Sequence, residues 1–325
     1  MINRLKVFLN TMGLLGPIRR AAVKSRLLAP VRRAAIRRHA RNQGIVLEFR
    51  DSLIAVQKGN REIRINPKHE VYVWDMINSF DYYHSAVFPS EANGVEFVDY
   101  SRPGLQRLKR SGVEFEFPSL PESDESTEVY LSVLGLRAGD VVLDLGAYAG
   151  ASAYFLAQAV GAGGTVVSFE PDETNFRYLQ ANIARHHLTN VRPVDKGVWS
   201  ETTRLEFQAE GNMGSSAVAV LGRNTSVKVV NVVSLDDAAK LAGEELPRIA
   251  AIKMDIEGAE VAVLKSAGDF LRRHRPRLVV EPHFVNGRMC TEEICQVLRG
   301  YGYCVQLINQ GVQNWSLIGA SPSKS

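Results

Sequence analysis

Val141-Val-Leu-Asp-Leu-Gly-Ala-Tyr-Ala-Gly150, followed by Val166-Val-Ser-Phe-Glu-Pro171, decides the fold of this chain. Each half opens on a short apolar run bounded by turn residues, the pattern of a strand buried on both faces. A glycine-rich turn and a helix connect the two. A parallel pair built this way leaves a cleft at the carboxyl ends of its strands, where a nucleoside cofactor can lie. Asp144 stands at the tip of the first strand, and Gly146 and Gly150 are expected to let the backbone come close to the ligand. Glu170 ends the second strand, 26 residues after Asp144, where a carboxylate can accept both ribose hydroxyls.

What the turn lacks narrows the ligand. A dinucleotide needs a G-x-G-x-x-G turn at a helix N-terminus to hold its pyrophosphate. The turn here is Gly146-Ala-Tyr-Ala-Gly150, G-x-x-x-G. Asp144, two residues before the first glycine, would repel a pyrophosphate but suits a cationic ligand such as S-adenosylmethionine. No G-x-x-x-x-G-K-[ST] segment occurs, which argues against a P-loop nucleotide site.

With 325 residues, 45% hydrophobic and 23% charged, the chain reads as a soluble globular protein of one large domain or two smaller ones. Cys290, Cys295 and Cys304 lack C-x-x-C spacing. They read as small buried hydrophobes in a reducing compartment, not as disulfides or a zinc site. The net charge of +4 conceals an asymmetry, since residues 1–47 hold eleven Lys or Arg and no Asp or Glu. Such an arm usually meets something anionic. Its apolar runs fall short of the ~18 residues of a spanning helix. No small-residue cleavage site follows them, so the arm is not read as a secretory signal; an organellar transit peptide is a minor alternative. From Ile18 to Arg41, the pairs Arg19-Arg20, Arg32-Arg33 and Arg37-Arg38 alternate with Ala22, Leu28, Val31, Ala35 and Ile36 at loosely helical spacing. Residues 1–41 are therefore expected to lie as a basic amphipathic helix on an anionic membrane surface, with a solvated helix or a protein contact as the alternative. The only aromatic there, Phe8, offers little base stacking, and no nucleic-acid partner is expected.

Three regions follow: a basic helical arm over 1–44, a small α+β region and linker over 45–124, and an α/β domain over 125–325. Ile45-Val-Leu-Glu-Phe, Leu53-Ile-Ala-Val-Gln and Glu62-Ile-Arg-Ile read as short strands, and 71–80 as a helix. Tyr72, Trp74, Phe80, Tyr82, Tyr83 and Phe88 crowd this region, for packing or for an acceptor pocket. Phe117-Pro-Ser-Leu-Pro-Glu-Ser-Asp-Glu-Ser126 reads as a polar linker, and 127–136 as a helix. Beyond it, strands at 141–145, 165–169, 191–195, 249–255 and 277–281 alternate with helices at 149–160, 173–187 and 291–300. Segments 203–207 and 227–233 are strand-like around a loop bearing Ser215 and Ser216. The runs 303–308 and 313–318 form a closing hairpin. Strands separated by helices predict a mostly parallel sheet covered on both faces.

A second constellation ends the strand at 249–255. In Ile252-Lys-Met-Asp-Ile-Glu-Gly-Ala-Glu260, three acids cluster where the strand opens onto the same cleft. Glu260 reads as a first-turn helix acid. Asp255 and Glu257 read as site residues, because a buried strand does not normally finish in clustered charge.

These residues resemble the FkbM-type S-adenosylmethionine-dependent methyltransferases. The resemblance rests on Asp144 to Gly150, Phe169-Glu-Pro171, Asn182 and the Ile252–Glu260 segment, and it covers roughly 125–285. It implies a class I methyltransferase-like fold: doubly wound α/β, with a mostly parallel seven-stranded sheet and a C-terminal antiparallel hairpin. It implies methyl transfer to a hydroxyl of a sugar, a polysaccharide or glycolipid precursor, or a secondary metabolite. The cofactor set is then Asp144, Gly146, Ala147, Tyr148, Gly150 and Ser152 from the first turn and helix, with Glu170, Pro171 and Asn175 after the second strand. Lys196, Gly197 and Asp255 complete it. Tyr148 stands where the family often has Asn. The arm and residues 45–120 lie outside the resemblance and are expected to select the acceptor.

An alcohol is a weak nucleophile, so a positioned base should accept its proton. Asp255, Glu257 and His283, the last in Glu281-Pro-His283, are the catalytic candidates. A divalent metal held by Asp255, Glu281 and His283 is a less supported alternative, and no metal is assigned. Rival readings are a non-catalytic methyltransferase-like adaptor and a nucleotide-cofactor sugar-modifying oxidoreductase. An N-methyltransferase is disfavoured because Asp255-Ile-Glu-Gly does not match the Asn/Asp-Pro-Pro-aromatic motif expected there. The expected location is cytoplasmic, peripheral at the inner membrane face if the arm binds lipid; the oligomeric state stays open.

Overall fold

The computed structural model describes residues 29–209, 226–243, 248–285, 288–309 and 316–323. Most of the arm (1–28) and the loop with Ser215 and Ser216 lie outside the described residues. The arm's last part is a helix, Ala29–Asn42, and it does not stand free. Ala40 is buried, Arg33 pairs with Glu70 at 2.7 Å, and the Arg33 and Arg37 guanidinium groups lie over the Phe49 ring.

The N-terminal layer is built from β1 (Val46–Phe49), β2 (Ile54–Lys58), β3 (Arg61–Ile65), β4 (Ser90–Ala92) and β5 (Val95–Tyr100), ordered β1-β2-β3-β5-β4. A β6 (Gly104–Arg107) and β7 (Glu114–Phe117) hairpin follows. The expected helix at 71–80 is three pieces: a 3-10 turn Pro67–Tyr72 and helices Val73–Asn78 and Phe80–Ser85, broken at the non-helical Ser79. Tyr72 and Phe80 are buried in this layer, whereas Trp74 and Phe88 are exposed.

The main sheet contains β8 (Val141–Leu145), β9 (Thr165–Phe169), β10 (Val191–Val194), β14 (Ile249–Met254), β15 (Arg277–Val280), β18 (Tyr303–Asn309) and β19 (Ser316–Pro322), in the order β10-β9-β8-β14-β15-β19-β18. All pairings are parallel except the two made by β19, which runs antiparallel between β15 and β18. This is the doubly wound, seven-stranded class I methyltransferase arrangement. The alternation of strand side chains explains its two cores. Val141, Leu143 and Leu145 face helices Leu235–Ala242, Glu260–Ser266, Gly268–His274 and Thr291–Gly300. Val142, Val166, Ala251 and Val279 face helices Asp124–Leu134, Ala151–Val160 and Glu173–Arg185. A separate three-stranded sheet of β11 (Gly197–Val198), β12 (Thr203–Ala209) and β13 (Ser226–Val233), ordered β11-β13-β12, stands beside the cleft. The remaining pair is β16 (Phe284–Val285) with β17 (Arg288–Met289).

The described part of the closing strand is Ser316–Pro322, and its expected start at 313 lies outside the described residues. Two expectations need correction. Cys304 is exposed on β18, while Cys290 and Cys295 are the buried ones. The segment 117–126 is not a solvated linker: Phe117 to Asp124 is buried throughout. The helix after it starts at Asp124, capped by Ser123 Oγ on the Glu125 N–H, and stops at the left-handed Gly135.

The N-terminal layer shares a core with the methyltransferase sheet. Phe115 and Phe117, both fully buried, pack in one apolar cluster with Tyr148, Ala149 and Ala151. Asn182, itself buried, donates to the carbonyls of Glu116 and Ala149 at 2.8 Å each and accepts from the Glu116 N–H at 2.9 Å.

Candidate active site

Strand order reverses between β8 and β14, and at such a switch point the two connections leave in opposite directions and open a crevice at the carboxyl ends. A cleft opens there. Glu170, Pro171, Asn175 and Gly197 form one end, with Val198, Phe207 and Val232 as apolar wall; Gly146, Tyr148, Glu122, Asp255 and Glu257 line the rest.

Glu170 is 5% exposed and held by donors. The Tyr148 N–H reaches its Oε2 at 2.9 Å, the Asp172 N–H its Oε1 at 2.9 Å, and Asn175 Nδ2 lies 3.4 Å from Oε1. Burial pushes its carboxyl up to about 8 against the pull of these donors. A carboxylate has about four acceptor positions, so capacity remains for a ribose hydroxyl.

Asp144 does not line the cleft. It is fully buried beneath it, accepting from Ser152 Oγ at 3.1 Å and Ser168 Oγ at 3.2 Å, with Lys253 Nζ 3.5 Å away. Lys253 is also buried and donates to the Gly146 carbonyl at 2.6 Å. Burial works against its charge, but the carboxylates of Asp144, Asp255, Glu122 and Glu281 outweigh it and hold the ammonium above its ordinary range. Ser152 is thus an Asp144 partner, and Ala147, Gly150 and Lys196 also lie outside the cleft wall.

Both glycines let the chain pack closely on itself, and Gly146 also lines the cleft. A Cβ on Gly146, at φ +81°, would sit 1.8 Å from the Asp255 carbonyl oxygen, and one on Gly150 2.7 Å from Leu179 Cδ1. Glycine here lets the β8 turn press against the end of β14 and against the helix Glu173–Arg185. Tyr148 spends its hydroxyl on the Leu120 carbonyl, 2.8 Å away, so the side chain fastens the turn to the 117–124 segment.

Asp255, Glu257 and His283 converge, with ligand-type atoms all within 4.8 Å of one another. His283 Nε2 lies 3.5 Å from Asp255 Oδ1 and 3.9 Å from Glu257 Oε1. Its Nδ1 is 2.9 Å from Oε1 of the fully buried Glu260, which also accepts from the Gly258 N–H at 3.1 Å. Burial opposes the imidazolium, yet Glu260, Glu257 and Asp255 overcome it and raise the His283 pKa well above its ordinary value. Glu260 is therefore more than a first-turn acid; it orients His283. Glu281 does not join this group, because it accepts from the Tyr130 hydroxyl at 2.8 Å. A metal set with Glu281 as ligand thus gives way to Asp255, Glu257 and His283.

The family profile described as "Methyltransferase FkbM domain" matches residues 144–305, from the β8 tip through β18. The chain belongs to the FkbM methyltransferase family. Its cofactor is S-adenosylmethionine. Solved structures similar to it include the FkbM methyltransferase of Methylobacillus flagellatus KT, with 20% identity, a TM-score of 0.42 and coverage of 60% of this chain and 50% of that one. Precorrin-6y C5,15-methyltransferase of Geobacter metallireducens GS-15 has 15% identity, a TM-score of 0.42 and coverage of 66% and 96%. A SAM-dependent O-methyltransferase of Thermotoga maritima has 12% identity, a TM-score of 0.39 and coverage of 68% and 78%. The chain spans half the length of the Methylobacillus protein. Comparison with curated proteins finds no match.

The cleft suits this cofactor. It offers apolar walls for a purine, a buried carboxylate for a diol, and an excess of carboxyls at the Asp255 end for positive charge. Two residues of that end escaped the sequence reading. Glu122 was hidden in an apparent linker, although Phe117, Leu120 and the two prolines around it signal burial. Lys253 was part of a quoted motif without a role; a lysine inside an otherwise apolar strand was its signal.

Replacing Glu260 by Gln should lower the His283 pKa, since a neutral amide removes the largest stabiliser of the imidazolium. An NMR titration of the His283 ring protons checks this, with an unchanged midpoint counting against the Glu260 contact.

Proposed function

We propose that this FkbM-family methyltransferase transfers the methyl group to a hydroxyl of a sugar, glycolipid precursor or similar polyol metabolite. The observation that carries the reading is the convergence of Asp255, Glu257 and His283 at the Asp255 end of the cofactor cleft. A hydroxyl needs a proton acceptor as it is alkylated, and this group contains two carboxylates beside a histidine.

When bound, S-adenosylmethionine supplies a methyl group already activated on a sulfonium. The chain's own residues then position, shield and move a proton. Glu170 holds the ribose hydroxyls, and Val198, Phe207 and Val232 keep water from the purine. Glu260 and the carboxylates beside it raise the His283 pKa well above its ordinary value and so favour the imidazolium. The proton acceptor is therefore a carboxylate, and Asp255, on the cleft wall at the end of β14, is the one placed to take the hydroxyl proton. The His283 imidazolium, 3.5 Å from Asp255 Oδ1, fixes that carboxylate. Holding acceptor and methyl in line supplies much of the remaining acceleration.

The basic arm supports a location for this chemistry. Arg38 and Arg41 on the helix Ala29–Asn42 are exposed, and residues 1–47 carry no acid. We propose that the arm holds the enzyme against an anionic membrane face, where lipid-linked glycans are made; no described helix is long and apolar enough to cross a membrane.

Asp255→Asn should reduce turnover about 10²–10⁴-fold while S-adenosylhomocysteine still binds. Transfer of labelled methyl to a panel of polyols and amines, beside calorimetry, measures both. Full turnover in Asp255→Asn, or transfer to amines alone, would contradict the reading. Removing residues 1–28 should weaken co-sedimentation with phosphatidylserine vesicles and leave the thermal transition in place. Undiminished vesicle binding would sink the membrane role.

A further inference from the structure

Glu122 is a carboxyl of the cleft that neither ribose binding nor proton transfer uses. Its residue is 8% exposed, it lines the cleft together with Gly146 and Asp255, and among the described residues no donor reaches its buried Oε2. A buried acceptor left unsatisfied costs about 1–3 kcal/mol. A protein that keeps one on the wall of a binding cleft points to a donor that arrives with the ligand.

The surroundings say which kind of donor. Lys253 is already engaged by the Gly146 carbonyl and by Asp144 and Asp255, at 2.6, 3.5 and 3.9 Å, and none of these contacts reaches Glu122 Oε2. A cationic donor that arrives with the ligand can take that place. Its place along the ligand follows from the same neighbours. Glu122 acts electrostatically with Lys253, Asp144 and Asp255, at the tips of β8 and β14. With the ribose at Glu170 and the methyl facing Asp255, the amino-acid portion beyond the sulfur falls on the Glu122 side.

We propose that Glu122, supplied by the buried segment between the N-terminal layer and the first helix of the methyltransferase domain, binds the α-ammonium group of S-adenosylmethionine. Glu122 lies outside the span matched by the family profile, which begins at residue 144. Burial, only partly offset by Lys253 and the Ser152 N–H, pushes its carboxyl up to about 8, and an arriving ammonium would favour the ionised form. The proposal rests on the assignment of this cleft to the cofactor.

A binding cycle tests it. S-adenosylhomocysteine carries the α-ammonium but no sulfonium, which separates the two cations of the cofactor. Calorimetry would compare it with its deaminated analogue and with 5′-methylthioadenosine, on the wild type and on Glu122→Gln. A lost hydrogen bond between charged groups corresponds to roughly 10–150-fold in affinity. We expect that loss for S-adenosylhomocysteine in Glu122→Gln, the same loss for the deaminated analogue on the wild type, and no further loss when both changes are combined. Affinity for 5′-methylthioadenosine should be equal in the two proteins. Additive losses, no loss, or an equal loss for 5′-methylthioadenosine would overturn the proposal. If Glu122→Gln fails to fold, the wild-type comparison still decides: an amine worth less than about threefold in affinity refutes an ammonium–carboxylate contact. Absence of any adenosyl-ligand binding by folded wild type would refute the cleft assignment, and the proposal with it.

Discussion

The buried ammonium of Lys253 is the constraint on which the site depends. Removing an ammonium from water costs several kcal/mol, and it persists only where geometry returns that energy. Lys253 receives it from the Gly146 carbonyl and from Asp144, which is as deeply buried as the lysine. The contact joins the turn after β8 to β14, the two strands between which the sheet order reverses. Gly146 completes the junction, since a Cβ there would collide with the Asp255 carbonyl. The cleft floor is thereby fixed before any ligand arrives, and the Asp255 and Glu122 carboxyls stand around the Lys253 ammonium.

The N-terminal layer belongs to the same construction. Asn182 bonds the backbone of β7 and of the β8 turn from one amide, and the Tyr148 hydroxyl reaches the Leu120 carbonyl. Phe115 and Phe117 fill the space between. The 117–124 segment is held on both flanks and brings Glu122 to the cleft. Residues outside the family match thus shape the ligand site as well as the outer surface.

Much of this was legible from one sequence because the main sheet is written in short apolar runs of fixed period. The strands at 141–145 and 165–169 and the helix at 291–300 lie where their periodicity places them. Glu170 and Asp255 are legible as cleft residues because a charge ending an apolar strand has few other places to go. Asp144 follows the same pattern and yet lies under the floor, for its cation sits on a neighbouring strand 109 residues away, at Lys253. Glu122 was obscured for a related reason. Polar residues between prolines look solvated until the partner surface is known, and that surface is formed by elements distant in sequence. Glu260 resembled an ordinary helix acid because its partner, His283, enters from the next strand.

Amide hydrogen exchange with and without S-adenosylhomocysteine tests most directly that the β8–β14 switch point is the cofactor site. The account predicts slowed exchange at 146–150, 170–175 and 255–259, with the outer strands β1 and β2 unchanged. Bound ligand with protection confined to other segments would contradict it.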